Sequence, residues 1–143
     1  MSSNENKLKS QRGNDFNHSA LLELKKLKTT GFIDNIDIKK KFPFKEGFNP
    51  QFYVPFMVVK DNKNAAIFPM NTMRSDRNKE KQWDAYGVKN YFKDNIKVIV
   101  VLPDNLIAIE KKYYEREKEK IKIKGYLSKI DEICQLSDLK HVL

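Results

Sequence analysis

The stretch "IKVIVVLP", residues 96–103, decides the fold. It is an almost unbroken apolar run dominated by β-branched residues, and Pro103 closes it. A strand with no polar alternation must be covered on both faces, so it belongs inside a sheet that carries further layers on each side. Immediately upstream, Ser75 and Asp76 are placed to cap a helix over about residues 76 to 92, and "KDN" at 93–95 ends it. On that helix Trp83, Tyr86 and the Tyr91/Phe92 pair are read as the apolar side, and Gly87 weakens the middle. Trp83 is therefore expected in the core with its N–H bonded, base stacking being the alternative. Further upstream, "QFYVPFMVV" (51–59) and "AAIFPM" (65–70) flank the turn "KDNKN" and form a largely buried hairpin. A helix between the third strand and the buried fourth permits a right-handed crossover, and so a mixed sheet with helices on its faces.

The pattern continues outward in both directions. "SALLELKKLK" (19–28) puts Leu21, Leu24 and Leu27 on one face of a first helix, about 19 to 29, with Ser19 as its cap and Gly31 as its stop. "FIDNIDIKKKFPF" (32–44) alternates Ile36, Ile38 and Phe42 with polar residues, and Pro43 and Pro50 confine that strand to an edge or a strand end. Residues 105–140 read as one long charged helix, or two shorter ones broken near Gly125. The fold class is α/β (α+β): a mixed central sheet of about four strands in αβββαβ order with a long C-terminal helical segment. Residues 1–15 are expected to be a mobile polar arm, and 16–143 a single domain of which 105–143 is a helical extension.

The chain has 143 residues, with 28 Lys and Arg against 19 Asp and Glu, a formal charge of +9. The excess lies in the first two thirds of the chain, which favours a polyanionic partner, nucleic acid first; a generally lysine-rich composition is the competing account. Cys134 is the single cysteine and excludes an internal disulfide; at helical spacing from Ile130 and Ile133 it suits the core better than nucleophilic work. No run approaches the roughly 20 apolar residues of a membrane helix, and a cytoplasmic protein is expected. The five glycines are scattered, so a Gly-rich phosphate loop is excluded, and His18 and His141 lack neighbouring ligands for zinc.

The residues that carry chemistry cluster in "NTMRSDRNKEKQW", 71–83. Arg74 and Arg77 flank the start of a helix whose free N–H groups also favour phosphate, so a strand end and a helix end can together hold a DNA backbone. Lys79, Lys81 and Lys89 extend the positive surface, and Lys39, Lys40 and Lys41 form a second cluster at a strand edge. Ion pairs of Arg77 with Glu80 or Asp84 are the structural alternative.

The element order together with this junction resembles the core of the restriction-endonuclease-like nucleases of PD-(D/E)XK type, over roughly residues 19–103. In several restriction enzymes of that group the third strand runs into a Thr/Ser, apolar, Arg, acid, Arg segment that opens a helix, and "NTMRSDR" looks like that segment. The resemblance implies double-stranded DNA as partner, a homodimer as one arrangement, and, if the protein cuts, a Mg²⁺-dependent Type II endonuclease. It implies a helix acid at Glu23; if the catalytic group is displaced, Asp37, Asp61 or Asp76 contributes, Asp61 being better explained as a turn residue. It also exposes departures: Gln51 stands at the Asp position of the second strand, and Phe68 and Met70 stand where the third strand needs an acid and a lysine. Either the catalytic group is displaced or the domain binds DNA without cutting it. A truncated subunit and a helical protein-interaction adaptor are the further alternatives.

Overall fold

The computed structural model describes residues 3–43, 51–71, 75–123 and 129–143, of which 3–14, 43, 51–52 and 75–80 are described by backbone alone. The elements run α1 (Ser3–Thr29), β1 (Asn35–Pro43), β2 (Gln51–Lys60), β3 (Lys63–Pro69), α2 (Ser75–Tyr91), β4 (Ile96–Leu102), α3 (Ala108–Lys120), β5 (Glu132–Gln135), a 3₁₀ turn Leu136–Asp138 and α4 (Leu139–Val142). The five strands make one mixed sheet in the order β1-β2-β3-β4-β5. β1, β2 and β3 form an antiparallel meander, and β3, β4 and β5 run parallel.

β4 has the position its composition demands. Val98, Val100 and Leu102 face a core shared with α2 and α3, while Ile99 and Val101 face a second core under α1 and α4. β3 alternates in the same way, Ala66 and Phe68 to one side and Ala65 and Ile67 to the other. The β2–β3 hairpin turns at Asp61 and Asn62, whose φ values of 51° and 64° are those of a two-residue primed turn. Asp61 is therefore a turn residue, and its backbone N–H donates to Asp34 Oδ2 at 3.0 Å.

A kink in the first hairpin changes which side it covers. The register of β1 on β2 is kept from Ile38↔Phe56 to Lys40↔Val54, but Lys39 and Pro55 between them do not pair. Pro55 has no N–H to offer, and Lys39 sits at φ 55°. Beyond the kink the alternation reverses: Phe56 faces the α1 core, whereas Val54 and Phe42 join the α2 core. Phe42 consequently packs against the end of α2, with ring centroids 4.7 Å from Tyr91 and 5.3 Å from Phe92.

Two expectations at the chain ends are corrected. The helix expected from Ser19 begins at Ser3, so helical backbone runs through residues 3–15. Phe16, Ala20, Leu24 and Leu27 bury one stripe of it, and extending an anchored helix through Glu, Lys, Gln and Arg adds a backbone bond for each residue ordered. Ser19 is no cap; its hydroxyl donates to the Asp15 carbonyl one turn back, at 3.0 Å. At the other end, the helical segment expected over 105–140 stops at Lys120, and "EICQ" is a fifth strand. Ile133 and Cys134 point to opposite cores, which requires a period of two, and each is 1 % exposed. Cys134 is core as expected, though on a strand. The break expected near Gly125 lies outside the described residues. No helix among the described residues is long and apolar enough to cross a membrane.

Candidate nucleic-acid interface

α2 is the element on which the basic and aromatic residues meet. It follows β3 at the carboxyl end of that strand, beside the carboxyl end of β4, where Pro69 pairs with Val101. Arg77 is the third residue of α2; Arg74 lies outside the described residues, as do the side chains of Asp76, Arg77 and Lys79. The opposed ion pairs of Arg77 with Glu80 or Asp84 fall there too.

The helix is turned the other way from the expected one. Among its described residues Ala85, Gly87 and Val88 are buried, and the small Ala85 and Val88 side chains in the core allow close approach to the sheet. Trp83 is 61 % exposed and Tyr86 51 % exposed, so the expectation that Trp83 sits in the core is corrected. The two rings stack with centroids 6.0 Å apart and planes 16° from parallel. Tyr91, also exposed, packs its ring against Phe42 on β1. The stripe Ala85, Val88 and Phe92, at i, i+3 and i+7, is the sequence signal for this orientation, outweighed in the sequence reading by the larger rings.

The orientation also redirects two lysines. Lys81, with its side chain 17 % exposed, lies 3.8 Å from Asp84 and 5.8 Å from the centre of the Phe68 ring. Lys89 is 12 % exposed, 2.6 Å from Asp131 Oδ2 and donating to the Ile96 carbonyl at 2.6 Å. Asp131 in turn accepts from the Val98 N–H at 2.8 Å. Lys89 thus ties α2 to the start of β4 and the segment before β5. Lys39, Lys40 and Lys41 are exposed on β1, the outer strand of the sheet.

Of the candidate carboxylates, Glu23 and Asp37 do not come together, and the side chain of Asp76 lies outside the described residues. Glu23 lies on α1 and pairs with Lys26 at 4.0 Å, on one side of the sheet. Asp37 on β1 stands opposite Met57, whose side chain belongs to the α2 core on the other side. Phe68 and Met70 are 1 % and 4 % exposed, packed in that core. Among the described residues no three His, Cys, Asp or Glu side chains converge to hold a metal ion. Glu23 and Asp37 by themselves, on opposite faces of the sheet, do not make the Mg²⁺ centre that the resemblance implies.

A groove of about 910 Å³ opens at the opposite end of the sheet, at the amino ends of the parallel strands. Three of the four lysines that line it are engaged within the fold. Lys60 donates to the Leu143 carbonyl at 3.1 Å and covers the Phe32 ring at 4.1 Å, Lys97 bonds the Val142 carbonyl, and Lys89 holds Asp131. Lys60 and Lys97 thereby cap the carbonyls at the end of the C-terminal helix. The α2 surface is the better candidate. Neither a protein-family profile nor a curated protein matches this chain.

Proposed function

We propose that the chain is a DNA-binding protein of restriction-modification type, built on a nuclease-like α/β core and holding DNA without cutting it. The observation that carries this reading is the start of α2 at the carboxyl ends of the parallel strands β3 and β4. In α/β sheets ligands bind in the crevice outside those ends, and in the sequence Arg74 and Arg77 flank the start of this helix, where first-turn N–H groups favour phosphate. The αβββαβ order from α1 to β4 and the net charge of +9 support the same reading. The buried Phe68 and Met70, with Glu23 and Asp37 on opposite faces of the sheet, favour binding over phosphodiester hydrolysis.

The test is retention of duplex DNA across a salt series. If about four phosphates are neutralised, affinity falls on the order of a hundredfold between about 50 and 200 mM salt. Replacing Arg74 and Arg77 with alanine lowers the slope of log affinity against log salt by about one for each arginine. Incubation of plasmid with Mg²⁺ or Mn²⁺ leaves it intact. Absence of retention at low salt sinks the DNA reading, and cleavage abolished by EDTA replaces the binding module with a divergent Type II endonuclease.

A further inference from the structure

We infer that the exposed rings of α2 form a stacking platform for unpaired nucleotide bases, so that the chain prefers DNA with single-stranded character over an intact duplex. This rests on the reading that the chain binds DNA, and it adds which form of DNA and through which residues. Trp83, Tyr86 and Tyr91 are 61 %, 51 % and 46 % exposed, and with Tyr53 they are the exposed aromatic residues among those described. Rings of this size normally bury 150–250 Å² each, so three that are about half exposed on one helix offer aromatic surface for a ligand to cover. The Trp83 and Tyr86 planes lie 16° apart at 6.0 Å, an offset stack to which a further flat ring can add.

Charge selects the kind of ring. Lys79 and Arg77 precede Trp83 on the same helix by about 6 and 9 Å of rise, and at the far end Tyr91 touches Phe42, which follows the exposed Lys39, Lys40 and Lys41. Flat rings beside the exposed lysines of β1, on a helix whose sequence also carries Arg77 and Lys79, suit a ligand that alternates aromatic faces with phosphates, the combination by which single-stranded nucleic acid is held. Bases inside a duplex present only their edges and cannot reach a ring on a helix surface. A second copy of the chain would bring a like charge of +9 to the same face.

Trp83 is the only tryptophan, so its emission reports on the platform directly. The full chain is titrated with a single-stranded thymidine oligonucleotide of about 15 nucleotides and with a blunt duplex. We expect saturable quenching by the single strand, tighter binding of it than of the duplex, and about a tenfold loss of single-strand affinity for Trp83→Ala and for Tyr86→Ala, with duplex retention unchanged. Because both rings are exposed, thermal melts of the variants match the parent within a few degrees; the quenching of the parent protein needs no variant. Duplex retention with unchanged emission and indifferent variants overturns the platform and leaves the DNA reading standing. Quenching by the single strand without duplex retention supports the platform and overturns the duplex reading. Failure to retain either DNA overturns both. If the two substitutions abolish concentration-dependent self-association in sedimentation and leave DNA binding intact, the surface is a self-contact and the platform is overturned.

Discussion

Gly31 ends α1 at φ 80°, with the Phe32 N–H donating back to the Leu27 carbonyl at 2.9 Å. An added Cβ would meet nothing within 4 Å, so the demand for glycine is one of backbone conformation and not of space. Gly31→Ala is expected to cost about 1 kcal/mol in urea unfolding, the penalty for a Cβ in left-handed backbone; an unchanged midpoint would show that the turn relaxes. Cys134 makes the opposite case, a residue governed by its surroundings. Burial first, then the carboxylates of Asp138 and Glu132, push its thiol up from 9.0 to about 12. The thiol stays protonated in the folded state where an unfolded chain would ionise, so the unfolded state holds fewer protons above pH 9. Stability is therefore expected to fall as pH rises from 9 towards about 12. Native Cys134 should resist thiol reagents at pH 8 and react on unfolding; rapid reaction of the native protein would refute its burial. Both residues are legible in the sequence, since glycine after a leucine stripe marks a helix stop and a cysteine among isoleucines marks a core.

At the scale of elements, legibility divides by how each pattern competes. β4 announces itself because nothing but a doubly covered strand suits "IKVIVV", and the hairpin turn is legible because Asp61 and Asn62 tolerate positive φ. α2 was recognisable as a helix but not in its rotation. Hydrophobicity ranks Trp83 and Tyr86 above Ala85 and Val88, whereas close packing on a sheet rewards the small residues and leaves the rings outside. The same rotation turns Lys89 inward, with a consequence that separates structure from binding. Lys89→Ala leaves Asp131 and the Ile96 carbonyl without their cation, and a loss of about 2 kcal/mol is expected from this partly buried bridge. DNA affinity at saturating folded fraction should not change. A drop in affinity with no loss of stability would return Lys89 to the phosphate surface.

For the whole molecule, the sheet explains why the last quarter of the chain had no clear signature. β5 is four residues long, too short for alternation to show, and its Ile130 and Ile133 mimic helical spacing because one precedes the strand and the other lies in it. What the sequence lacked as a pattern the tertiary structure supplies as coverage: β5 pairs with β4 from Ile99↔Glu132 to Leu102↔Gln135, closing the edge of the most apolar strand. Ile130, Ile133, Cys134 and Leu139 are each 2 % exposed or less, and together they fill both cores. At about 2 kcal/mol for each buried side chain they contribute on the order of 8 kcal/mol, as large as the net stability of a typical domain. The segment also supplies Asp131 to Lys89 and the carbonyls that Lys60 and Lys97 hold. A chain ending at Ile123 is therefore expected to lose its cooperative thermal transition and to aggregate through the uncovered β4 edge, as judged by calorimetry and light scattering. A monodisperse fragment with a sharp transition would make residues 124–143 an appendage, and the fold would then be complete at four strands.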